Sequence, residues 1–361
     1  MTCPDCQTIE RCHQGPGELL LAPFLSHTLN SVRRGLEARG LTTREASPGV
    51  LSVHLPDGGP AAVDGPLREL MSEAEIRDCR ASFLPQGHTF GIASLRDTHS
   101  LETLLARAGS GWLADLIEAD RFEFHFQPIV SCADPGRPFA YESLMRGVIP
   151  GQEARVPPGR LIAQARASQL LFQLDRAARI NAIRQAVAHG FEARVFINFN
   201  PTTIYDPAFC LKSTLEEVDR LGADADRLVF EVVESEHVSD TQHLQRIVDH
   251  YKQAGFQVAL DDLGAGYSSL NLLSSLRPDF VKFDRELVSH VHEDTYKQTV
   301  LSKLIEMAQE LEICTIAEGV EQVGEWEWLR ARAVDYVQGY LFARPASPPP
   351  DPVSPGGPAG P

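Results

Sequence analysis

The chain has 361 residues, 43% of them hydrophobic, and a formal charge of −16. That length and composition describe a globular chain of two or three domains, and the acidic excess excludes a nucleic-acid polymer as partner, since neutralising many phosphates needs clustered Lys and Arg. No apolar run approaches the ~20 residues that cross a bilayer, and no basic segment followed by an apolar core opens the chain, so a cytoplasmic protein without membrane insertion is expected.

Residues 1–13 form a Cys-rich head in which Cys3, Cys6, Cys12 and His13 offer the ligand types that a structural zinc takes. The other reading is a free, flexible head, because adjacent Cys12 and His13 do not readily turn to one ion and no second Cys-x-x-Cys follows. The seven cysteines are an odd number, unlike a secreted disulfide framework. Cys79, Cys132, Cys210 and Cys314 have no partner at ligand spacing and read as small buried hydrophobes. Residues 14–110 contain short mixed elements and no motif that carries chemistry, so they read as a regulatory or interaction module of unknown type. Gly109-Ser110-Gly111 reads as a hinge, which puts the main domain boundary at residue 111.

From Trp112 onward short apolar runs alternate with longer segments of helical periodicity, the mark of βα units around a parallel sheet. Strands are predicted near 122–129, 139–145, 194–199, 227–233, 256–261, 279–284, 313–318 and 334–338. Eight strands favour a (β/α)8 barrel over a doubly wound sheet. Leu161 to His189 reads as one helix, with Ile162, Ala165, Leu174, Ala178 and Val187 near helical spacing and Gly190 as its stop. Thr299 to Leu311 reads as another helix, and Trp326 and Trp328 as packing of the helix before the last strand. Residues 345–361, dominated by Pro, Gly, Ala and Ser, read as a disordered tail.

A barrel of this kind works at the C-terminal ends of its strands, so the polar residues that interrupt the last turn of an apolar strand are the candidates. They are Glu142, Asn198, Glu231, Asp261 with Asp262, Lys282 with Asp284, Glu318 and Gln338, in strand order. Alternation along each strand sharpens the choice: Val258 and Leu260 share one face while Asp261 lies on the other, and Asn198, Glu231 and Lys282 have the same parity against their apolar neighbours. Carboxylates gathered in one pocket repel unless a cation neutralises them, and an all-oxygen ligand set selects Mg²⁺ or Mn²⁺. Two such ions suit phosphate-ester hydrolysis. A single Asp or Glu at a strand end is more often a cap or a solvated loop residue; the ordered set is not explained that way.

The segments that carry these residues resemble the EAL phosphodiesterase family over residues 118–344. The match runs through Gln127-Pro128-Ile129, Glu142-Ser143-Leu144-Met145-Arg146, Ile197-Asn198, Glu231-Val232-Val233-Glu234, Asp261-Asp262-Leu263-Gly264-Ala265-Gly266-Tyr267-Ser268-Ser269-Leu270, Lys282-Phe283-Asp284, Glu318-Gly319-Val320-Glu321 and Gln338-Gly339-Tyr340. The resemblance implies a TIM-like barrel over residues 111–344 with its first strand antiparallel, and hydrolysis of cyclic di-GMP to linear pGpG. A cyclic di-GMP receptor or protein-interaction module without turnover is the alternative.

Carried over by position, Glu142, Asn198, Glu231 and Asp261 hold the first metal, and Asp261, Asp262 and Glu318 the second. Lys282 contacts the attacking water and the phosphate, Glu318 or a metal-bound hydroxide is the base, and Gln127, Arg146, Asp284 and Gln338 contact substrate. Glu234 anchors the loop at residues 262–270, near which a homodimer is expected to form. Ser143, Leu263, Val233 and Ala265 depart from the family's usual Ala, Phe, Thr and Thr without removing a ligand. His125, between Phe124 and Phe126, reads as a core histidine more readily than as a substrate contact.

Overall fold

The computed structural model describes residues 9–233, 240–264 and 269–353. The first part is an antiparallel sheet of β1 (Gly17–Ala22), β2 (Thr42–Ser47), β3 (Val50–Leu55), β4 (Arg80–Pro85) and β5 (His99–Ser100), in the spatial order β2-β3-β1-β4-β5. Helices α1 (Ser26–Glu37), α2 (Asp64–Leu70), α3 (Glu73–Asp78) and α4 (Leu101–Ala108) cover one face, where Val32, Leu36, Leu67, Ile76 and Leu104 share an apolar core with Leu19 and Leu21. The period-2 pattern of β1 puts Leu19 and Leu21 in that core and leaves Glu18, Leu20 and Ala22 half-buried on the opposite face. The starts of α3 and α4 are local in origin: Ser72 and Glu75 form a reciprocal capping box, and the Ser100 hydroxyl accepts from Thr103 N.

α5 (Gly111–Glu118) leads into a closed barrel of β6 (Phe122–Ser131), β7 (Pro138–Gly147), β8 (Arg194–Phe199), β9 (Leu228–Val233), β10 (Gln257–Leu263), β11 (Phe280–Phe283), β12 (Cys314–Ala317) and β13 (Tyr336–Val337). β6 runs antiparallel to both its neighbours, β7 and β13, while the other adjacent pairs are parallel. Around it lie α6 (Pro158–Ala167), α7 (Leu171–Ala188), α8 (Pro207–Cys210), α9 (Lys212–Leu221), α10 (Thr241–Gln253), α11 (Ser269–Leu276), α12 (Arg285–Val288), α13 (Thr295–Glu310) and α14 (Val323–Arg330). α4 packs on α6, where Gln164 Nε2 donates to Ala106 O at 3.2 Å.

Two local readings of the sequence are corrected. The segment 161–189 is two helices: Ser168, Gln169 and Leu170 break the run, with Gln169 at φ 60°, so the periodicity of α6 and α7 belongs to two axes. Ile162 and Val187, which fall near the spacing of one long helix, are 37% and 40% exposed. Gly109-Ser110-Gly111 is a packed joint between α4 and α5, in which buried Ser110 donates to Arg107 O at 2.8 Å.

The stretch after Arg344 is ordered as far as it is described. β13 is two residues long and on its β6 side meets only Val130 and Ser131, which leaves the edge of β6 open at Phe126. Ala346 fills that edge: Phe126 N donates to Ala346 O at 2.9 Å, and Ala346 N to Phe126 O at 3.2 Å. Backbone hydrogen bonds at Ala346, and from Val353 N to Phe342 O at 2.9 Å, hold this stretch, which composition does not show. Residues 354–361 lie outside the described residues.

Cys79, Cys132 and Cys210 are buried free thiols and Cys314 is half-buried. Trp326 and Trp328 are buried on α14, and Trp326 Nε1 donates to Cys132 O at 2.9 Å. No helix among the described residues is long and apolar enough to cross a membrane.

Candidate active site

Inside the barrel the strands present two layers. The lower one is apolar: Ile129, Ala140, Phe196, Val229, Ala259, Phe280 and Ile316 form one cluster, with Tyr336 packed against it. Two residues along each strand, and therefore on the same inward face, stand Gln127, Glu142, Asn198, Glu231, Asp261, Lys282, Glu318 and Gln338. On the seven strands that follow β6 the step is toward the C-terminal end. On antiparallel β6 it is toward the N-terminal end, so Gln127 joins the same layer, opposite Glu142 in the strand register.

Lys282 is the centre of this layer and fully buried. Its ammonium lies 2.5 Å from Glu318 Oε1, 2.6 Å from Glu231 Oε1, 3.1 Å from Asp261 Oδ1 and 3.8 Å from Glu142 Oε1. Burial alone would depress the lysine, but the carboxylates hold its pKa well above the ordinary range. Burial raises Glu231 and Asp261 against the pull of Lys282, and it pushes Glu318 up to about 8. Asp262 is pushed up to about 6 by burial and by its neighbours Asp261 and Asp284.

Asp262 reaches the site through a backbone irregularity. Consecutive strand residues face opposite ways, so parity accounts for Asp261 only. The β10–β11 register shifts between Leu260 and Leu263, and Asp262 sits at φ 59°, in the left-handed region that Asp tolerates better than most residues. One carboxylate oxygen each from Asp261, Asp262 and Glu318 then lie within 4.8 Å of one another.

These residues fit divalent cations on their own geometry. Four carboxylates, of Glu142, Glu231, Asp261 and Glu318, gather around one ammonium, and Asp262 adds a fifth beside Asp261 and Glu318. Glu231 Oε2 is buried without a hydrogen-bond partner, and Glu231 Oε1 and Asp261 Oδ1 meet Lys282 as ion pairs that lack hydrogen-bond geometry. Hard oxygen donors left unsatisfied inside a barrel are the ligand chemistry of Mg²⁺ or Mn²⁺.

The amides brace the rim. Gln338 Nε2 donates to Glu142 Oε2 at 2.6 Å and to Gln127 Oε1 at 3.1 Å; Gln127 Nε2 donates to Ala343 O at 3.1 Å, and Asn198 Nδ2 to Glu142 Oε1 at 3.3 Å. Arg146 is half-buried, its pKa lowered by burial, and holds the carbonyls of Leu144 and Met145 at 3.3 and 2.9 Å. Ser143 donates to Phe196 O at 2.8 Å, so its hydroxyl is satisfied in place of the family's usual alanine.

Asp284 is brought near Asp262, but it caps α12 by accepting from Glu286 N at 2.8 Å. His125 is half-exposed and pairs with Glu123 at 3.0 Å, which corrects its reading as a core histidine: it shares the inward face of β6 with Gln127, but toward the open end. Cys12 is half-buried and His13 exposed; neither belongs to a metal-ligating group among the described residues. Cys3, Cys6 and Glu234 lie outside the described residues.

A cavity of about 360 Å³ opens beside Glu142, Asn198, Asp261 and Asp262. Its far wall is apolar, built from Met145, Pro158, Ile162, Leu171 and Leu174, and sequence reasoning did not find it because those residues carry no motif. It also missed Asp175 in the cavity wall. Asp175 pairs with fully buried Arg179 and accepts from Asn200 N at 2.8 Å and Thr203 Oγ1 at 3.0 Å, which fixes the chain just beyond Asn198. The available signal was an Asp and an Arg four apart on one helix.

Comparison with known proteins agrees with this fold. The EAL domain family matches residues 110–345. Cyclic di-GMP phosphodiesterase PdeR of Escherichia coli (strain K12) is 30% identical over 238 residues, 64% of this chain and 35% of that protein. A standalone versatile EAL protein from Vibrio cholerae O395, solved in its c-di-GMP bound form, is 36% identical with a TM-score of 0.60, covering 64% of this chain and 95% of that one. The manganese/cy-diGMP complex of Klebsiella pneumoniae BlrP1 extends the fold likeness to 92% of this chain and 96% of that one, at 21% identity and a TM-score of 0.57. The chain spans about a third to just over half the length of the first curated relatives it matches.

Proposed function

Because this chain belongs to the EAL family, we propose that it hydrolyses cyclic di-GMP to linear pGpG in a metal-dependent reaction. The observation that carries the reading is the ring of carboxylates around Lys282 at the mouth of the barrel, open to a cavity. Glu142, Asn198, Glu231 and Asp261 would hold one Mg²⁺ or Mn²⁺, and Asp261, Asp262 and Glu318 a second. When bound, the pair lowers the pKa of water and polarises the phosphate.

The chain's own groups do the rest. Lys282 keeps its proton and presents positive charge to the phosphate and the water. Glu318, whose carboxyl lies against Lys282, accepts the proton that the attacking water loses. Arg146 offers a planar fork of donors to a phosphate oxygen, and Gln127 and Gln338 orient substrate at the rim. The apolar wall at Met145, Pro158 and Ile162 receives a guanine base. Asp284, as a helix cap, acts through the position of the chain beside Asp262.

The test is incubation of purified protein with cyclic di-GMP and Mg²⁺ or Mn²⁺, with products separated by chromatography. pGpG that disappears on metal removal, and is suppressed by the longer-bonded Ca²⁺, supports the reading. Tight binding without pGpG under any metal means a receptor instead. The family resemblance further supports a homodimer near the loop at 262–270, where Leu270 is 56% exposed; light scattering at assay concentration tests it. For the head, one zinc per chain, lost when Cys3 and Cys6 are both changed to Ser, is the outcome that metal analysis checks.

A further inference from the structure

The face of the N-terminal sheet that its helices do not cover carries a pocket of about 300 Å³. β1 and β4 set its floor: Leu20 stands opposite Ser82, and Ala22 opposite Arg80. Val50 of β3 extends the apolar floor, and the segment before β5 closes over it with Phe90 and Thr98.

Three features distinguish this pocket from a plain sheet surface. Ser82 is 2% exposed, yet its hydroxyl has no hydrogen-bond partner among the described residues. A buried hydroxyl left unpaired is a cost unless something entering the pocket meets it. Arg80, exposed at the same end, has no carboxylate partner among the described residues. The ring of Phe90 is 49% exposed and lines the opening.

We infer that this pocket binds a small organic carboxylate with an apolar, ring-sized body. The guanidinium of Arg80 takes the carboxylate through its planar fork, as a lysine would not. The Ser82 hydroxyl donates to the same head group. Leu20, Val50 and Phe90 cover the body, in a volume at the lower end of the ~300–1,000 Å³ typical of ligand pockets. Phosphate or another compact anion would leave that apolar floor uncovered. The pocket is separate from the barrel site and independent of the phosphodiesterase reading. Its rim residue Thr98 lies two positions before Ser100, which caps α4, and α4 packs on α6, whose Pro158 and Ile162 line the catalytic cavity.

The experiment is a ¹⁹F NMR titration of the full chain with 4-fluorobenzoate at fixed ionic strength, with neutral 4-fluorobenzamide in parallel. Saturable broadening is expected for the acid, with affinity at least about ten-fold weaker for the amide and for Arg80→Gln, and weakened for Ser82→Ala. Ala22→Phe, which fills the pocket, abolishes the signal while the thermal midpoint stays at the wild-type value; if that variant does not fold, Ser82→Val serves the same purpose. Absence of saturable binding at millimolar probe overturns the inference. So does binding that is equal in Arg80→Gln, or binding that is lost in Glu142→Ala and kept in Arg80→Gln, which would place the probe in the barrel.

Discussion

Lys282 Nζ lies 2.5 Å from Glu318 Oε1, so the one ammonium of the buried polar layer is held by the carboxylate assigned to the water's proton. Glu318→Gln keeps the shape of this contact and removes both the charge and the proton acceptor. Turnover of cyclic di-GMP is expected to fall about 10²–10⁴-fold. Affinity measured by calorimetry falls far less, because Arg146, Gln127 and the first ligand set still face the substrate. Glu142→Ala, by contrast, is expected to lose both affinity and turnover. Cleavage by Glu318→Gln at the wild-type rate would remove its assignment as the base.

The same carboxylates predict how pH and metal act on stability. Glu318 and Asp262 are raised to about 8 and about 6, above unfolded values of ~4.3 and ~3.9. Between those limits the folded, metal-free protein binds more protons than the unfolded chain, so its stability falls as pH rises through the window. Cation binding requires the deprotonated groups. Added Mg²⁺ is therefore expected to raise the thermal midpoint more at about pH 8 than at about pH 5.5; an equal rise at both would contradict it.

Arg179→Met tests the support of the cavity wall. Arg179 is fully buried against Asp175, and its removal leaves that carboxylate without its cation. Breaking such a buried pair costs on the order of 3–5 kcal/mol. Urea unfolding should show this loss, and the metal affinity of the folded variant should fall as the Asn200 turn loosens beside Asn198.

Truncation after Arg344 is expected to destabilise the barrel by about 1–3 kcal/mol, because buried Phe126 loses both backbone partners. Truncation after Val353 keeps the Ala346 pairing and should leave the urea midpoint unchanged. Equal midpoints for the two truncations would show that the pairing contributes nothing.

The alternation of apolar and polar residues along the strands was enough to place Asn198, Glu231, Asp261 and Lys282 on one inward face, because side-chain direction in a strand follows from position alone. Order along the chain then set them on successive strands of one barrel. Asp262 was legible as a polar residue at its strand end, but by parity it faces outward, and a register shift with a positive φ brings it in. Asp175, the apolar wall of the cavity and the docking of Ala346 on Phe126 were decided by tertiary structure. Each depends on which distant segments meet, and neither hydrophobic period nor composition records that a strand edge will lack a partner or that a helix will turn its one buried ion pair toward a loop.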